Sequence, residues 1–182
     1  MQASALSETL LPDAEEARDN AAFDAILRAL SLPGDIFELP EGGVMTAAQA
    51  LIDRECRVYA PEHAAAVQAT GARLSPVGTA DHAIMQLTPV ALVDVAQLSV
   101  GSELHPEGGA TIIAPARLGA GERLRLTGPG IRQAQQIALD GIAPAFWSLR
   151  ELACTYPLGF ELILVDGARV LALPRSTRVE VP

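Results

Sequence analysis

Lysine is missing altogether: all 13 basic residues of this 182-residue chain are arginine. No side chain can therefore form a Schiff base with pyridoxal phosphate or a carbonyl substrate, and no Walker-type lysine can reach a nucleotide's phosphates. Cysteine is scarce: Cys56 and Cys154 stand far apart without a CxxC, which excludes a disulfide framework or zinc knuckle and reads as two buried free thiols. Aromatic residues make up 4%, too few for a base-stacking platform, so Phe146 and Trp147 are read as packing groups. The 22 acids outweigh the arginines by 9, so a nucleic-acid backbone would be repelled over most of the surface. No apolar run reaches the roughly 18 to 20 residues of a membrane span. The start, MQASALSETLLPDAEE, carries acids where a secretory signal carries base, and a soluble cytoplasmic protein is expected.

What is present is material for a core. Hydrophobic residues make up 49% and charged residues 19%, which fits one domain over 1–182, with no internal repeat or linker. From Ala14 to Leu30, Phe23, Ile26, Leu27 and Leu30 fall at helical spacing behind a capping box of Asp13 and Glu16, and Ser31-Leu32-Pro33-Gly34 ends the helix. Thr46 to Asp53 reads as a short helix, Cys56 to Ala60 as a buried strand, and Glu62 to Thr70 as an alanine-rich helix. His82 to Leu87 reads as a strand, and the apolar Val90 to Leu98 as a helix. Ala110 to Pro115 and Arg123 to Thr127 look like neighbouring strands, the second with one wet face because arginine alternates with leucine. Pro144 suits the first turn of a helix running to Ala153. Glu161 to Val165 and Arg169 to Leu173 flank Asp166-Gly167-Ala168, a hairpin signal. The sum predicts an α/β fold with a mixed sheet covered mostly by helices.

Chemistry-bearing motifs are few. Thr127-Gly128-Pro129-Gly130 could present backbone N–H groups to an anion if a helix began near Ile131 or Arg132, but Gln133 stands where the dinucleotide fingerprint needs its third glycine, and a plain turn is the simpler reading. His63, His82 and His105 show no metal-binding spacing, and Ser148 and Ser176 lack the nucleophile elbow. Catalytic, metal and cofactor assignments are therefore none. Arg175 and Arg178, just after the last apolar strand, suit carboxylate or phosphate contacts; with Gly128 and Gly130 they form the candidate anion or partner contact.

The ordered blocks FDAILRALSLPG (23–34), PEGGATIIAP (106–115), RLRLTGPGI (123–131) and YPLGFELILVDGARVLALPRSTRV (156–179) resemble the PhnH family of the bacterial carbon-phosphorus lyase system almost from end to end. Departures from the family's usual pattern are Asp24, where arginine is common, Leu32, Tyr156 and Glu161. The resemblance implies a reduced, cofactor-free relative of the pyridoxal-phosphate-dependent transferase fold, in agreement with the missing lysine. It also implies an accessory subunit that assembles with subunits G, I and J in organic phosphonate catabolism, where a phosphonate is joined to ribose triphosphate from a nucleoside triphosphate. A homodimer in isolation is the expected state, since two-fold pairing is the commonest. The rival reading is an anion-binding transferase component that lends Arg175, Arg178 and the Gly128–Gly130 turn to a shared site.

Overall fold

The computed structural model describes residues 12–182; the acidic start that weighed against a secretory signal lies outside them, apart from its last five residues. Helix α1 spans Ala14–Ser31 and opens with the expected capping box: the Asp13 carboxylate accepts from the N–H groups of Glu15 and Glu16, and Glu16 accepts from the Asp13 N–H. After it come β1 (Phe37–Glu38), α2 (Val44–Gln49), β2 (Arg57–Tyr59), α3 (Ala64–Ala69), β3 (Arg73–Leu74), β4 (His82–Ile84) and α4 (Leu92–Val95). The second half holds β5 (Thr111–Pro115), β6 (Arg117–Thr127), β7 (Gln135–Asp140), α5 (Ala145–Ala153), β8 (Glu161–Asp166), β9 (Arg169–Leu173) and β10 (Arg178–Glu180).

Seven strands form the main sheet in the order β1-β9-β8-β5-β4-β2-β3, and β6 lies between β10 and β7 in a three-stranded antiparallel sheet. In the main sheet β8, β5, β4, β2 and β3 run parallel, while β9 is antiparallel to both its neighbours, β8 and β1. The β8–β9 hairpin is where Asp166-Gly167 places it, with Val165 opposite Val170 and Asp166 opposite Arg169.

Side-chain alternation sorts the central strands onto two faces. Ile113, Ile163, Val165, Val170 and Ala172 face one core with α1, α2 and α3; Ile112, Ala114, Leu162, Leu164, Leu171 and Leu173 face the other. The mixed sheet is thus as expected, but its second face is covered by β6 and β7, through Leu118, Leu124, Leu126 and Leu139, as well as by α4 and α5.

Two expectations are corrected, and one condition is not met. The segments Ala110 to Pro115 and Arg123 to Thr127 are not neighbours, because β5 pairs with β4 and β8 while β6 belongs to the small sheet. Their patterns fit this: β5 is apolar on both faces and needs cover on both, whereas β6 alternates wet Arg123 and Arg125 with buried Leu124 and Leu126. No helix starts at Ile131; the chain passes through turns and bends before β7. In α1 the face against the sheet is alanine, with Ala22, Ala25, Ile26 and Ala29 buried, while Phe23 and Leu27 are 49% and 52% exposed. Small side chains let the helix approach β9 closely, and the bulky stripe is left about 100° round the helix.

Candidate functional site

The four singled-out residues lie around the loop that joins β9 to β10. The Gly128-Pro129-Gly130 turn is wedged between that loop and the end of α1: a Cβ on Gly128 would stand 2.8 Å from the Ser176 carbonyl oxygen, and one on Gly130 would stand 2.4 Å from that of Ser31. Both glycines have positive φ, +139° and +83°, so this turn requires glycine for its conformation and for the closeness of other backbone.

The two arginines point in opposite senses. Arg175 turns inward: its backbone N–H donates to Glu161 Oε2 at 2.7 Å, its Nε donates to Glu161 Oε1, and its Nη1 donates to the carbonyls of Pro106 and Pro157. Arg178 is 72% exposed, and its Nε lies 3.4 Å from Glu180 Oε1. Arg175 thus lies in the 174–177 loop, Arg178 opens β10 just after it, and Gly128 packs against it at Ser176, while Gly130 packs on the opposite side of the turn, against Ser31 and Pro33.

Arg150, not singled out from the sequence, is the centre of this region. It lies on α5 on the same face as Phe146 and Trp147, and it is buried with them. Its Nη1 donates to the Thr177 carbonyl at 3.0 Å, and its Nη2 donates to those of Pro174 at 2.7 Å and Leu173 at 3.4 Å. Burial lowers its pKa from the ordinary guanidinium value, with Cys154 and Glu161 acting the other way. The sequence did carry a signal: in PAFWSLRELA an arginine sits four residues after Phe146, at core-facing spacing.

A cleft of about 330 Å³ opens between α5 and the loop, lined by Trp147, Arg150, Arg175, Ser176, Thr177 and Arg178 among others. On its far side the Trp147 indole N–H donates to Glu122 at 3.1 Å, fastening α5 to β6. Cys154 and Cys56 are free and half-buried rather than fully buried; burial raises the Cys56 pKa, which disfavours the nucleophilic thiolate. His105 and Glu107 form an exposed pair at 3.1 Å, and His82 is half-buried, with its Nδ1 shielded and unpartnered. Among the described residues no three His, Cys, Asp or Glu side chains converge as a metal set, and no helix is long and apolar enough to cross a membrane.

The geometry defines an α/β protein in which guanidinium groups fasten loops to helices and strand ends. Residues 13–180 match the family model of the bacterial phosphonate metabolism protein PhnH, and the chain belongs to that family. It is 33% identical over 178 residues to a putative C-P lyase subunit protein, HtxG, of Stutzerimonas stutzeri, covering 90% of this chain and 87% of that one. Over 88 residues it is 31% identical to the subunit PhnH of alpha-D-ribose 1-methylphosphonate 5-triphosphate synthase from Rhizobium meliloti (strain 1021), covering 46% of this chain and 43% of that one.

Proposed function

We propose that this chain is an accessory, non-catalytic subunit of a carbon-phosphorus lyase core complex, assembled with subunits G, I and J. There it would support formation of ribose 1-alkylphosphonate 5-triphosphate from a nucleoside triphosphate and an alkylphosphonate. The observation that carries the reading is the match over nine-tenths of the chain to a relative named as a C-P lyase subunit. The polar chemistry agrees, since Arg150 and Arg175 are committed to carbonyl and carboxylate oxygens of the fold itself.

The proposal includes one domain over 1–182 and kinship with the pyridoxal-phosphate-dependent transferase fold, supported by a mixed sheet in which β9 runs against its neighbours near one edge. The residues present do not fit that cofactor, because no lysine exists to carry it. A cytoplasmic site of action and a homodimer in isolation belong to the same reading. The dimer or a partner has a surface to use in the outward Phe23 and Leu27 of α1, with Leu32 and Ile36 also exposed beyond it.

The test is native mass spectrometry of the chain alone and co-expressed with G, I and J. A stable assembly containing all four, with a dimer of the chain alone, is the expected result. Persistent separation from the three partners would overturn the reading.

A further inference from the structure

The outward side of α1 carries two adjacent rows of side chains. Phe23 and Leu27, four residues apart and both exposed among the described residues, form an apolar row. About 100° further round the helix, Asp24 and Arg28 form a second row, also four apart, exposed and joined by a salt bridge at 2.9 Å. The apolar row does nothing for the fold, because the helix is anchored to the sheet through Ala22, Ala25, Ile26 and Ala29 on another side. An exposed apolar row rimmed by charge has the make-up of an interaction surface.

The order of signs in the charged row determines what fits it. A second copy of α1, laid against the first about a two-fold axis that passes between the helices midway between Phe23 and Leu27, runs antiparallel. The rotation turns the helix end for end and keeps each flank on its own side. Phe23 of one copy then stands opposite Leu27 of the other, and Asp24 opposite Arg28, so both rows complement themselves and every contact occurs twice. A parallel pair would instead set Asp24 against Asp24 and Arg28 against Arg28. Exposed ion pairs add little affinity, so the apolar row supplies the attraction and the charged row fixes the antiparallel orientation.

We propose that two copies of this chain pair through α1, antiparallel, with Phe23 and Leu27 at the centre and Asp24 and Arg28 of the two copies forming a ring of alternating charge. This rests on the homodimer of the proposed function and deepens it by naming its surface and orientation. Leu32 and Ile36, exposed just past the end of the helix, widen the apolar area beyond the helix pair itself. The pairing is coded by charge: one reversal sets like charges against each other, and opposite reversals in two copies restore the attraction.

The experiment is sedimentation velocity of the full chain at low salt over a range of concentrations, with Asp24→Arg, Arg28→Asp and, as control, Glu151→Arg, the same kind of reversal at an exposed position of α5. The unaltered chain and the control should dimerise alike, and each α1 variant alone should dimerise about tenfold more weakly or worse. Phe23→Ser should weaken the dimer by a similar factor. An equimolar mixture of the two α1 variants should pair one to one about as tightly as the unaltered chain, since a row of two arginines then faces a row of two aspartates; native mass spectrometry tells this mixed pair from either homodimer. Rescue by mixing is a result that a variant unable to fold does not give. Undiminished dimers of both α1 variants, a mixture that fails to pair, or an equal loss in Glu151→Arg would each overturn this face and leave a homodimer through another surface standing. A chain that is monomeric at every concentration would overturn the homodimer itself, and if Asp24→Arg then also drops out of assembly with G, I and J, the face belongs to one of those subunits.

Discussion

Replacing Arg150 by methionine removes the guanidinium and keeps most of the apolar stem. Two well-formed hydrogen bonds disappear, to the carbonyls of Thr177 at 3.0 Å and Pro174 at 2.7 Å, along with the long one to Leu173. Each buried acceptor left without a donor costs about 1–3 kcal/mol. Against this, methionine spares the fold the burial of a charge, which offsets part of the loss. The expected net destabilisation is about 3 kcal/mol. Arg150→Lys keeps the charge but cannot span the carbonyls as a planar fork, and should lose about half as much. Urea unfolding followed by the fluorescence of Trp147, the single tryptophan and a neighbour on α5, measures both. The midpoint should fall at constant slope. An Arg150→Met midpoint equal to that of the unaltered chain would refute the reasoning, because the three carbonyls would then have found other partners at no cost.

Gly130→Ala should destabilise by about 2 kcal/mol or more, since its Cβ would meet the Ser31 carbonyl at 2.4 Å and its φ is +83°. Gly167→Ala shares the positive φ, +59°, but meets nothing within 4 Å, so it should lose only the backbone part, about 1 kcal/mol; equal losses in thermal melts would remove the wedge argument. Burial holds the pKa of His82 below its ordinary value, with Asp81 and Asp53 opposing. The unfolded chain therefore takes up this proton first, near pH 6.5, and the contribution of neutral His82 is full above that pH and lost as pH falls toward and through the lowered folded value. Urea stability measured between about pH 7 and 5 should fall with acid and flatten in His82→Gln, and an unchanged slope in that variant would assign the effect elsewhere.

How much of this was legible in the sequence depended on how local the signal was. The α1 cap and the β8–β9 turn are written within four residues each, and both stand where the pattern puts them. Strands β7 and β10 went unseen, because Gln135–Asp140 is half polar and Arg178–Glu180 is short; both are edges of a small sheet and need little apolar pattern. The order of the main sheet is set by pairings between distant segments, so β5 and β6, separated by Ala116 alone, part into different sheets. Of the candidate site, the residue types were readable but not their directions. Arg175 and Arg178 look alike in sequence, yet one is clamped on Glu161, opposite in no local register, and the other faces solvent.

The arginine-only composition acquires a physical sense from what those side chains touch. Arg73 donates to the Glu55 carbonyl, Arg169 to that of Leu118, Arg150 to those of Leu173, Pro174 and Thr177, and Arg175 to those of Pro106 and Pro157. Most of these acceptors lie in connecting loops or at strand ends, where a carbonyl has no ladder partner and would otherwise need water. A guanidinium offers five donors in a fixed plane and can satisfy several such carbonyls at once, which an ammonium on a flexible stem does less well. Four of the 13 arginines thus complete the hydrogen bonding of a fold with many short strands, and six others, Arg18, Arg28, Arg57, Arg117, Arg125 and Arg178, stand against carboxylates of the chain itself. Arg178, by contrast, closes no junction: it is exposed beside the α5 cleft and approaches only Glu180.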